Sequence, residues 1–463
     1  MRTRFYVFIT CFLLCPSCNT GINTKVCPEL RISENKRFLV TETGDPFFWL
    51  GDTGWMLFTK LNREEAEKYL EDRRQKGFNV IQVMVLHNVR KGVNVYGDSA
   101  LINHDVSRPF TTPGNAADDP EQYDYWDHID YLINLAEEKG LYMALVPIWG
   151  SNVRNGSITR DNAEKYAVWL ADRYKNKSNV VWVNGGDIKG NDSTAIWNTI
   201  GSALRQTSPR QLITFHPFGR TQSSKWFHNE KWLDFNMFQS GHRRYDQDTL
   251  DLAYGEDNWK YAVNDYGLTP IKPTMDGEPS YEGIPQGLHD PTQPYWTDSD
   301  VRRYAYWSVF AGGCGFTYGN NAIMQFYKDG DPESAYGVKD TWDVALSAPG
   351  GSQMRYLKQL MLSRSYFDRI PAQDMIAGNQ GEKYDYLAAT KGRDYAFIYT
   401  CNGSTMNINL EKMYSAGIEA SWYNPRNGQF AKIGTFKAKG IKTFDPPDEK
   451  AAGNDWVLVL DCI

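Results

Sequence analysis

Short apolar runs alternate with amphipathic segments over most of the chain. In 177-KSNVVWVNGGD-187 the residues Val180 to Val183 form a continuous apolar run, which is typical of a parallel strand covered on both faces. The preceding segment, 161-DNAEKYAVWLADRYKN-176, has the spacing of an amphipathic helix. The same reading predicts eight strands, at 46–55, 78–88, 141–150, 180–187, 212–219, 232–241, 271–283 and 314–320. Eight strands separated by helical segments predict a (β/α)8 TIM barrel, an α/β fold.

The alternative for this region is an open, doubly wound sheet. No G-x-G-x-x-G motif follows the first strand, so a dinucleotide-binding fold loses its main support. From about Tyr384 the pattern changes to short alternating runs such as 395-YAFIYTC-401 and 456-WVLVLDC-462. That pattern predicts a small antiparallel β-sandwich. We therefore expect a barrel domain over residues 28–370 and a sandwich domain over 371–463.

The N-terminus, MRTRFYVFITCFLLCPSCNTG, has the pattern of an export signal. Two arginines precede an apolar stretch that is too short to span a membrane, and small residues then lead to Cys18. We expect residues 1–18 to form a lipoprotein-type signal with Cys18 as lipid acceptor; ordinary cleavage nearby is the alternative. The predicted location is the cell envelope, in the periplasm or at the surface, with membrane attachment only through lipid.

Composition and charge exclude some classes of function. The 463 residues carry 50 basic and 56 acidic side chains, a net charge of -6, without the long basic runs of a nucleic-acid-binding protein. Aromatic residues make up 14%, and their flat rings suit sugar faces. The cysteines lack metal-site spacing, and no metal or other cofactor is expected. Cys401 and Cys462 are predicted either to form a disulfide or to remain as buried thiols. The oligomeric state stays open.

Polar residues cluster at the predicted strand ends, where barrel enzymes hold their active sites. The candidates are Asp52, His87, Asn88, Trp149, Asn184, Asp187, His216, Gln239, His242, Glu278, Glu282 and Tyr318. Asp187 ends the fourth strand and Glu278 the seventh, on opposite sides of the barrel, so their carboxyls can face each other across its mouth. Cleavage of a glycosidic bond uses such a pair. The structural alternatives are a turn-stabilising Asp187 and a solvent-facing Glu278.

The other candidates are predicted to contact substrate, each with a structural alternative. Asp52 could cap the next element. His87, His216 and His242 lack the spacing of metal ligands, which favours hydrogen bonding in a cleft. Trp149 and Tyr318 could stack on sugar or pack internally. Glu282, four residues after Glu278, is its main rival as the second carboxylate.

Three barrel motifs, 49-WLGDTGW-55, 181-VWVNGGD-187 and 274-TMDGEPSYEG-283, precede the sandwich motifs 422-WYNPRNG-428 and 456-WVLVLD-461. Together they resemble the glycoside hydrolase family 140 apiosidases over nearly the whole mature chain. The resemblance implies a retaining enzyme that cleaves D-apiose from the galacturonic acid backbone of rhamnogalacturonan II. It implies Asp187 as acid/base and Glu278 as nucleophile. The C-terminal segment is similar to domains labelled collagen-binding, a function that we do not transfer.

One departure from the wider clan of retaining barrel glycosidases concerns the first acid. That clan has Glu directly after Asn, whereas Asp187 follows Asn184 by three residues, so the shorter acid requires a closer substrate. A galacturonate substrate would favour basic residues near the cleft. Arg90, Arg154, Arg220 and Arg243 follow strand ends, although each could be ordinary surface charge.

Two other functions remain open from the sequence. One is a non-catalytic, surface glycan-binding lipoprotein, which would have no need of two opposed carboxylates. The other is a glycosidase of the same fold that acts on another plant polysaccharide.

Overall fold

A computed structural model describes residues 27–248 and 254–463. The predicted signal and Cys18 lie outside the described residues. Within the described part, the chain begins with a small antiparallel sheet that precedes the barrel. Its strands are β1 (Leu30–Ile32), β2 (Leu39–Thr41) and β3 (Pro46–Phe47).

A sheet of nine strands, counted over the described residues, forms a nearly closed barrel. These strands are β4 (Trp49–Thr53), β5 (Val80–Met84), β6 (Tyr142–Val146), β7 (Val180–Ile188), β8 (Ile213–Pro217), β9 (Thr221–Gln222), β10 (Asn236–Gln239), β11 (Thr274–Asp276) and β12 (Gly315–Tyr318). All eight strands predicted from the sequence are present, and β9 is a short antiparallel addition beside β10. The ladder runs parallel from β10 through β11, β12 and β4 to β8. Between β8 and β10, Asp234 donates its backbone N–H to the Ile213 carbonyl at 2.9 Å. The predicted (β/α)8 barrel is confirmed.

Helices follow the barrel strands, and the longer ones cover the outside of the barrel. In the described residues they are α1 (Leu57–Lys60), α2 (Arg63–Gln75), α3 (Tyr125–Glu138), α4 (Ser151–Arg154), α5 (Arg160–Tyr174), α6 (Thr194–Thr207), α7 (Ser224–Phe227), α8 (Trp259–Tyr266), α9 (Asp298–Phe310), α10 (Asn321–Met324), α11 (Trp342–Ala345) and α12 (Pro349–Leu362). Several begin at a capping residue; Asp124, for example, accepts the backbone N–H groups of Trp126 and Asp127 at the start of α3. No described helix combines the length and apolar character that crossing a membrane requires.

Alternate side chains of a barrel strand point to opposite faces, and both faces are buried. On β7, Val180 and Trp182 pack in the layer between sheet and helices, whereas Val181 and Val183 belong to the core inside the barrel. This two-sided burial explains the continuous apolar run in the sequence. The same alternation determines whether a polar residue at a strand end points into the barrel or toward the helices.

The C-terminal region is antiparallel, as predicted. Its strands are β13 (Ile370–Pro371), β14 (Ala388–Lys391), β15 (Tyr395–Thr400), β16 (Met406–Asn409), β17 (Gly417–Tyr423), β18 (Phe430–Lys437), β19 (Ile441–Phe444) and β20 (Trp456–Cys462). Six of them form one sheet, and β16 pairs with β19 in a second. Cys401 and Cys462 are free thiols that approach different carbonyls, those of Tyr384 and Met413, so the disulfide alternative is wrong.

The C-terminal sheet and the barrel share a hydrophobic core. Tyr306 of α9 stacks on Tyr399 of β15 with ring centroids 4.7 Å apart. Arg302 of α9 binds Asp455 through two parallel hydrogen bonds of 2.8 and 2.9 Å, and both side chains are buried. The sheet therefore stabilises the barrel from the side of α9.

Candidate active site

A cavity of about 1040 Å³ is lined by residues that follow the carboxyl ends of the eight parallel barrel strands. Each strand contributes at least one residue, either from its carboxyl end or from the segment that follows it. These residues are Trp55 after β4, His87 after β5, Trp149 after β6, Asp187 at the end of β7, Phe218 after β8, His242 after β10, Glu278 after β11 and Tyr336 after β12. The cavity is thus at the end of the barrel where strand-to-helix loops build catalytic sites.

Asp187 reaches this cavity through an irregular end of β7. The pairing register with β8 shifts between Gly185 and Ile188, and the residues Gly185, Gly186 and Asp187 all have positive φ, of 92°, 108° and 48°. A left-handed conformation is rare for a non-glycine residue and is found where surrounding structure enforces it. Here it turns the Asp187 side chain into the cavity instead of along the strand direction.

Gly186 is required at this bulge for a second reason. A Cβ atom at position 186 would lie 2.6 Å from Cε3 of Trp149, closer than any ordinary contact. Trp149 in turn packs against Trp55 and His216, with ring centroids 5.2 and 5.9 Å away. The backbone bulge and this aromatic cluster therefore restrict each other's positions.

Glu278 lies between two histidines. His242 Nε2 is 3.1 Å from one carboxylate oxygen and forms a hydrogen bond. His216 Nε2 is 3.1 Å from the other oxygen, a contact at hydrogen-bond distance but without good angular alignment.

The backbone sets the tautomer of both rings. His216 Nδ1 accepts the N–H of Asp187 at 3.2 Å, and His242 Nδ1 accepts the N–H of Tyr281 at 3.4 Å. Because Nδ1 accepts in each case, Nε2 carries the proton and faces Glu278.

The two carboxyl groups have opposite protonation preferences. Burial raises the pKa of Asp187, and the negative charge of Glu278 raises it further. Burial also opposes ionisation of Glu278, but the Nε2–H groups of His216 and His242, which face its two oxygens, outweigh burial and lower the Glu278 pKa to about 2. A carboxyl group with a raised pKa is suited to giving a proton, and one with a lowered pKa is suited to attacking or stabilising a cationic carbon.

Seven of the residues predicted from sequence line the cavity together. They are His87, Asn88, Trp149, Asp187, Gln239, His242 and Glu278. The carbonyl oxygen of the Gln239 side chain is buried and has no protein hydrogen-bond partner within the described residues, so it is available to a ligand hydroxyl.

Five of the residues predicted to contact substrate do not line the cavity. Asp52 accepts the Tyr69 hydroxyl of α2 at 2.6 Å, and Asn184 donates to the Trp197 carbonyl of α6 at 2.8 Å. Both side chains point out of the barrel toward the helix layer, because they lie on the outward face of their strands. His216 lies on the inward face but is fully buried beside Glu278.

Glu282 and Tyr318 are the remaining two predicted substrate contacts that do not line the cavity. The Tyr318 hydroxyl donates to Glu282 at 2.5 Å, and the same carboxyl group accepts the N–H of Gly350 at the start of α12 at 3.3 Å. Glu282 is thus bound between a strand and a helix, on the far side of the barrel wall from Glu278.

Several residues that line the cavity were not predicted from the sequence. Trp55 and Tyr281 lie inside the motifs 49-WLGDTGW-55 and 274-TMDGEPSYEG-283. An aromatic residue close to each predicted strand-end acid could have identified them. Tyr336 belongs to a long segment after β12, where no periodic pattern marks a site.

Three of the four arginines considered from the sequence line the cavity: Arg90, Arg220 and Arg243. Lys60 and Lys91 join them. Arg154 does not, and it lies 4.0 Å from Asp192 instead. Arg220 is paired with the buried Asp248 at 2.7 Å, whereas Arg243 donates from Nη1 to the Gln247 carbonyl at 3.2 Å. Over residues 27–248 and 254–463, no group of three or more His, Cys, Asp or Glu side chains could hold a metal ion.

Comparison with known proteins agrees with this geometry. Residues 33–368 match the family model "Apiosidase-like, catalytic domain", and residues 370–461 match "Putative collagen-binding domain of a collagenase". No curated protein matches the chain.

Two solved structures are similar over nearly the full length. One is described as a glycoside hydrolase: it is 46% identical, the match covers 94% of this chain and 97% of the other, and the TM-score is 0.88. The second, a family 5 glycoside hydrolase from Bacteroides vulgatus, is 43% identical with coverage of 94% and 92% and a TM-score of 0.88. On the evidence of the barrel, its paired carboxyl groups and these matches, the chain belongs to the apiosidase-like family and is a glycoside hydrolase.

Proposed function

We propose that the protein is a retaining apiosidase of the family 140 type, which cleaves the bond between D-apiose and galacturonic acid in rhamnogalacturonan II. The mechanism rests on the presence in one cavity of two carboxyl groups, Asp187 with a raised pKa and Glu278 with a lowered pKa. The match to an apiosidase-like family supports the choice of sugar.

In the first step Glu278 attacks the anomeric carbon and forms a carbon–oxygen bond to the sugar. The glycosidic carbon–oxygen bond breaks, and Asp187 gives its proton to the leaving oxygen. His216 and His242 stabilise the ionised Glu278 before this attack by donating toward its two oxygens.

In the second step a water molecule attacks the same anomeric carbon. Asp187, now a carboxylate, takes the proton of that water, and the bond to Glu278 breaks. Both carboxyl groups return to their starting protonation states, and the sugar leaves with its original anomeric configuration.

The charge of the cavity lining supports an anionic substrate. Arg90 and Arg243 lie at its wall, whereas Lys91 is paired with Glu333 at 3.1 Å. A galacturonate carboxylate is the kind of group that a guanidinium binds with parallel, charge-assisted hydrogen bonds.

Digestion of defined rhamnogalacturonan II fragments tests the substrate assignment. Purified enzyme should release apiose, identified by chromatography and mass spectrometry, and Glu278→Gln should release none. Release of a different sugar by the wild-type protein would refute the apiose assignment and leave the glycosidase mechanism standing. Arabinan and galactan serve as pectic controls without apiose.

A further inference from the structure

The C-terminal domain contacts the loop that carries His242. This His242 loop, residues 240–248, follows β10 and contributes Gly241, His242 and Arg243 to the cavity lining. The contact comes from the short helical turn Lys383–Asp385 of the C-terminal domain.

Tyr384 makes this contact through a buried carboxylate. Its hydroxyl donates to Glu256 Oε1 at 2.7 Å, and the same oxygen accepts the backbone N–H of Tyr245 at 3.4 Å. The Tyr245 and Tyr384 rings also meet edge to face, with centroids 5.6 Å apart. Tyr384 and the His242 loop are therefore joined by one shared acceptor and one ring contact.

Glu256 is a fixed anchor for this junction. Its side chain is fully buried and pairs with Arg303 of α9, whose Nη2 lies 2.7 Å from Glu256 Oε2. The Arg303 guanidinium also lies over the Tyr384 ring, 4.8 Å from its centroid. A buried ion pair with several further contacts has little freedom to move.

At the start of the His242 loop, His242 contacts Glu278, the proposed nucleophile. His242 donates from Nε2 to Glu278 at 3.1 Å, while its carbonyl accepts the N–H of Gly287 at 2.7 Å. The position of the imidazole thus depends on how the loop is held at both ends, and Tyr245 lies only three residues from His242.

We propose that Tyr384 of the C-terminal domain is a positioning residue for Glu278, acting through Glu256, Tyr245 and His242. The inference rests on the proposed nucleophilic role of Glu278. It gives the C-terminal domain a part in catalysis that is separate from its contribution to folding.

Tyr384→Phe tests the proposal, because it removes one hydroxyl from a side chain that is 45% exposed. Looser placement of His242 weakens its hydrogen bond to Glu278, so the Glu278 pKa rises and the acid limb of the kcat/KM profile moves to higher pH. We expect a shift of about half a unit or more, with kcat/KM at the optimum lowered roughly twofold to thirtyfold. The charged and titratable groups that face Glu278 are His216, His242, Asp187, Tyr281 and Tyr336.

Tyr423→Phe is the matched control. The Tyr423 hydroxyl also joins the C-terminal domain to the barrel, donating to the Tyr356 carbonyl of α12 at 2.8 Å. The Tyr423 ring packs on Phe430, and within the described residues its hydrogen bond and ring contact do not involve the His242 loop. This variant should keep the wild-type acid limb. Tyr384→Ala, which also removes the ring contact with Tyr245, should shift the limb further than Tyr384→Phe.

Equal pH profiles for Tyr384→Phe and Tyr423→Phe would overturn the proposal, even if both variants lose stability. The assays use the pectic fragment from which the wild-type enzyme releases sugar, with Glu278→Gln in parallel. Activity in Glu278→Gln would refute the proposed function itself. An inactive Glu278→Gln with an unshifted Tyr384→Phe would refute only the role of Tyr384.

Discussion

Two glutamates four residues apart, Glu278 and Glu282, have different surroundings, and the difference supports different proposed roles for them. Glu278 lines the cavity between two imidazoles, and its pKa is lowered to about 2. Glu282 is bound to Tyr318 and to the backbone of Gly350, and burial raises its pKa. A nucleophile must be ionised and must reach the substrate. Glu278 lines the cavity and has the lowered pKa, which supports its proposed role as the nucleophile.

Substitution of each glutamate by glutamine should therefore separate them. Glu278→Gln should lower kcat by more than about 10³-fold, the scale of losing a nucleophile. Glu282→Gln should keep activity within about a factor of ten and lose about 1 kcal/mol of stability through its weakened hydrogen bonds. Steady-state kinetics and denaturant unfolding measure the two effects. An active Glu278→Gln beside an inactive Glu282→Gln would reverse the assignment.

The pH dependence of kcat/KM should follow from Asp187. Its raised pKa keeps the carboxyl protonated at higher pH than an ordinary Asp, and the acid must be protonated to act. Activity should be full below that pKa and fall as pH rises through it, while Glu278 stays ionised down to about pH 2.

The Asp187→Asn variant, assayed on an aryl glycoside with a good leaving group, provides the control. Such a substrate needs no protonation to form the glycosyl-enzyme, so the basic limb of its kcat/KM profile should disappear. If the Asp187→Asn variant retains the basic limb, the limb is due to titration of a group other than Asp187.

At the scale of elements, the end of β7 determines where the acid points. The bulge over Gly185 to Asp187 uses three successive positive φ angles, and Trp149 fills the space in which a side chain at 186 would stand. The Asn-Gly-Gly-Asp sequence allows this backbone, which a regular strand would not adopt.

Gly186→Ala should damage both stability and activity. The φ of 108° disfavours alanine by about 1–3 kcal/mol, and the added Cβ would contact Trp149 at 2.6 Å. Gly97→Ala is the matched control, because Gly97 has a φ of 92° but open space around its Cβ position. Thermal unfolding should show a loss in both variants, whereas kcat/KM should fall only in Gly186→Ala. Equal activities would show that the bulge does not aim Asp187.

The sequence predicted the elements better than the directions of their side chains. Continuous apolar runs and glycine or acid residues at their ends located the eight barrel strands, including the strand that carries Asp187 and the strand that Glu278 follows. Asp52 and Asn184 also end such runs, yet they point outward, because a shift of one residue changes the face. The contacts of His216 and His242 with Glu278 join residues from different strands that are far apart in the sequence, and such pairs leave no local pattern.

On the scale of the whole molecule, the two domains depend on a shared interface. The buried Arg302–Asp455 pair and the aromatic stacking of Tyr306 on Tyr399 connect α9 to the C-terminal sheet. Contacts of this kind, continuous with the main core, favour unfolding of both domains together.

Asp455→Asn tests this dependence. It replaces one of the two carboxylates that pair with Arg302 by a neutral group, while Asp298, whose Oδ2 lies 2.5 Å from Arg302 Nη1, remains. Loss of the charge-assisted pair should cost about 1.5–3 kcal/mol. The variant should unfold in one transition at a lower denaturant concentration, followed by near- and far-UV circular dichroism. Glu419→Gln removes the exposed partner of Lys432 and should change stability by at most about 1 kcal/mol. Equal midpoints for the two variants would show that the interface pair contributes little.

The central claim is that Glu278 forms a covalent bond to the sugar, and mass spectrometry of a trapped intermediate tests it most directly. The Asp187→Asn variant, given the activated aryl glycoside of the sugar that the wild-type enzyme releases, should form the glycosyl-enzyme quickly and hydrolyse it slowly. After acid quenching and proteolysis, the added sugar mass should lie on the peptide that contains Glu278, and fragmentation should place it on that residue. A label on Glu282, or an unlabelled protein that releases product of inverted configuration, would contradict the account.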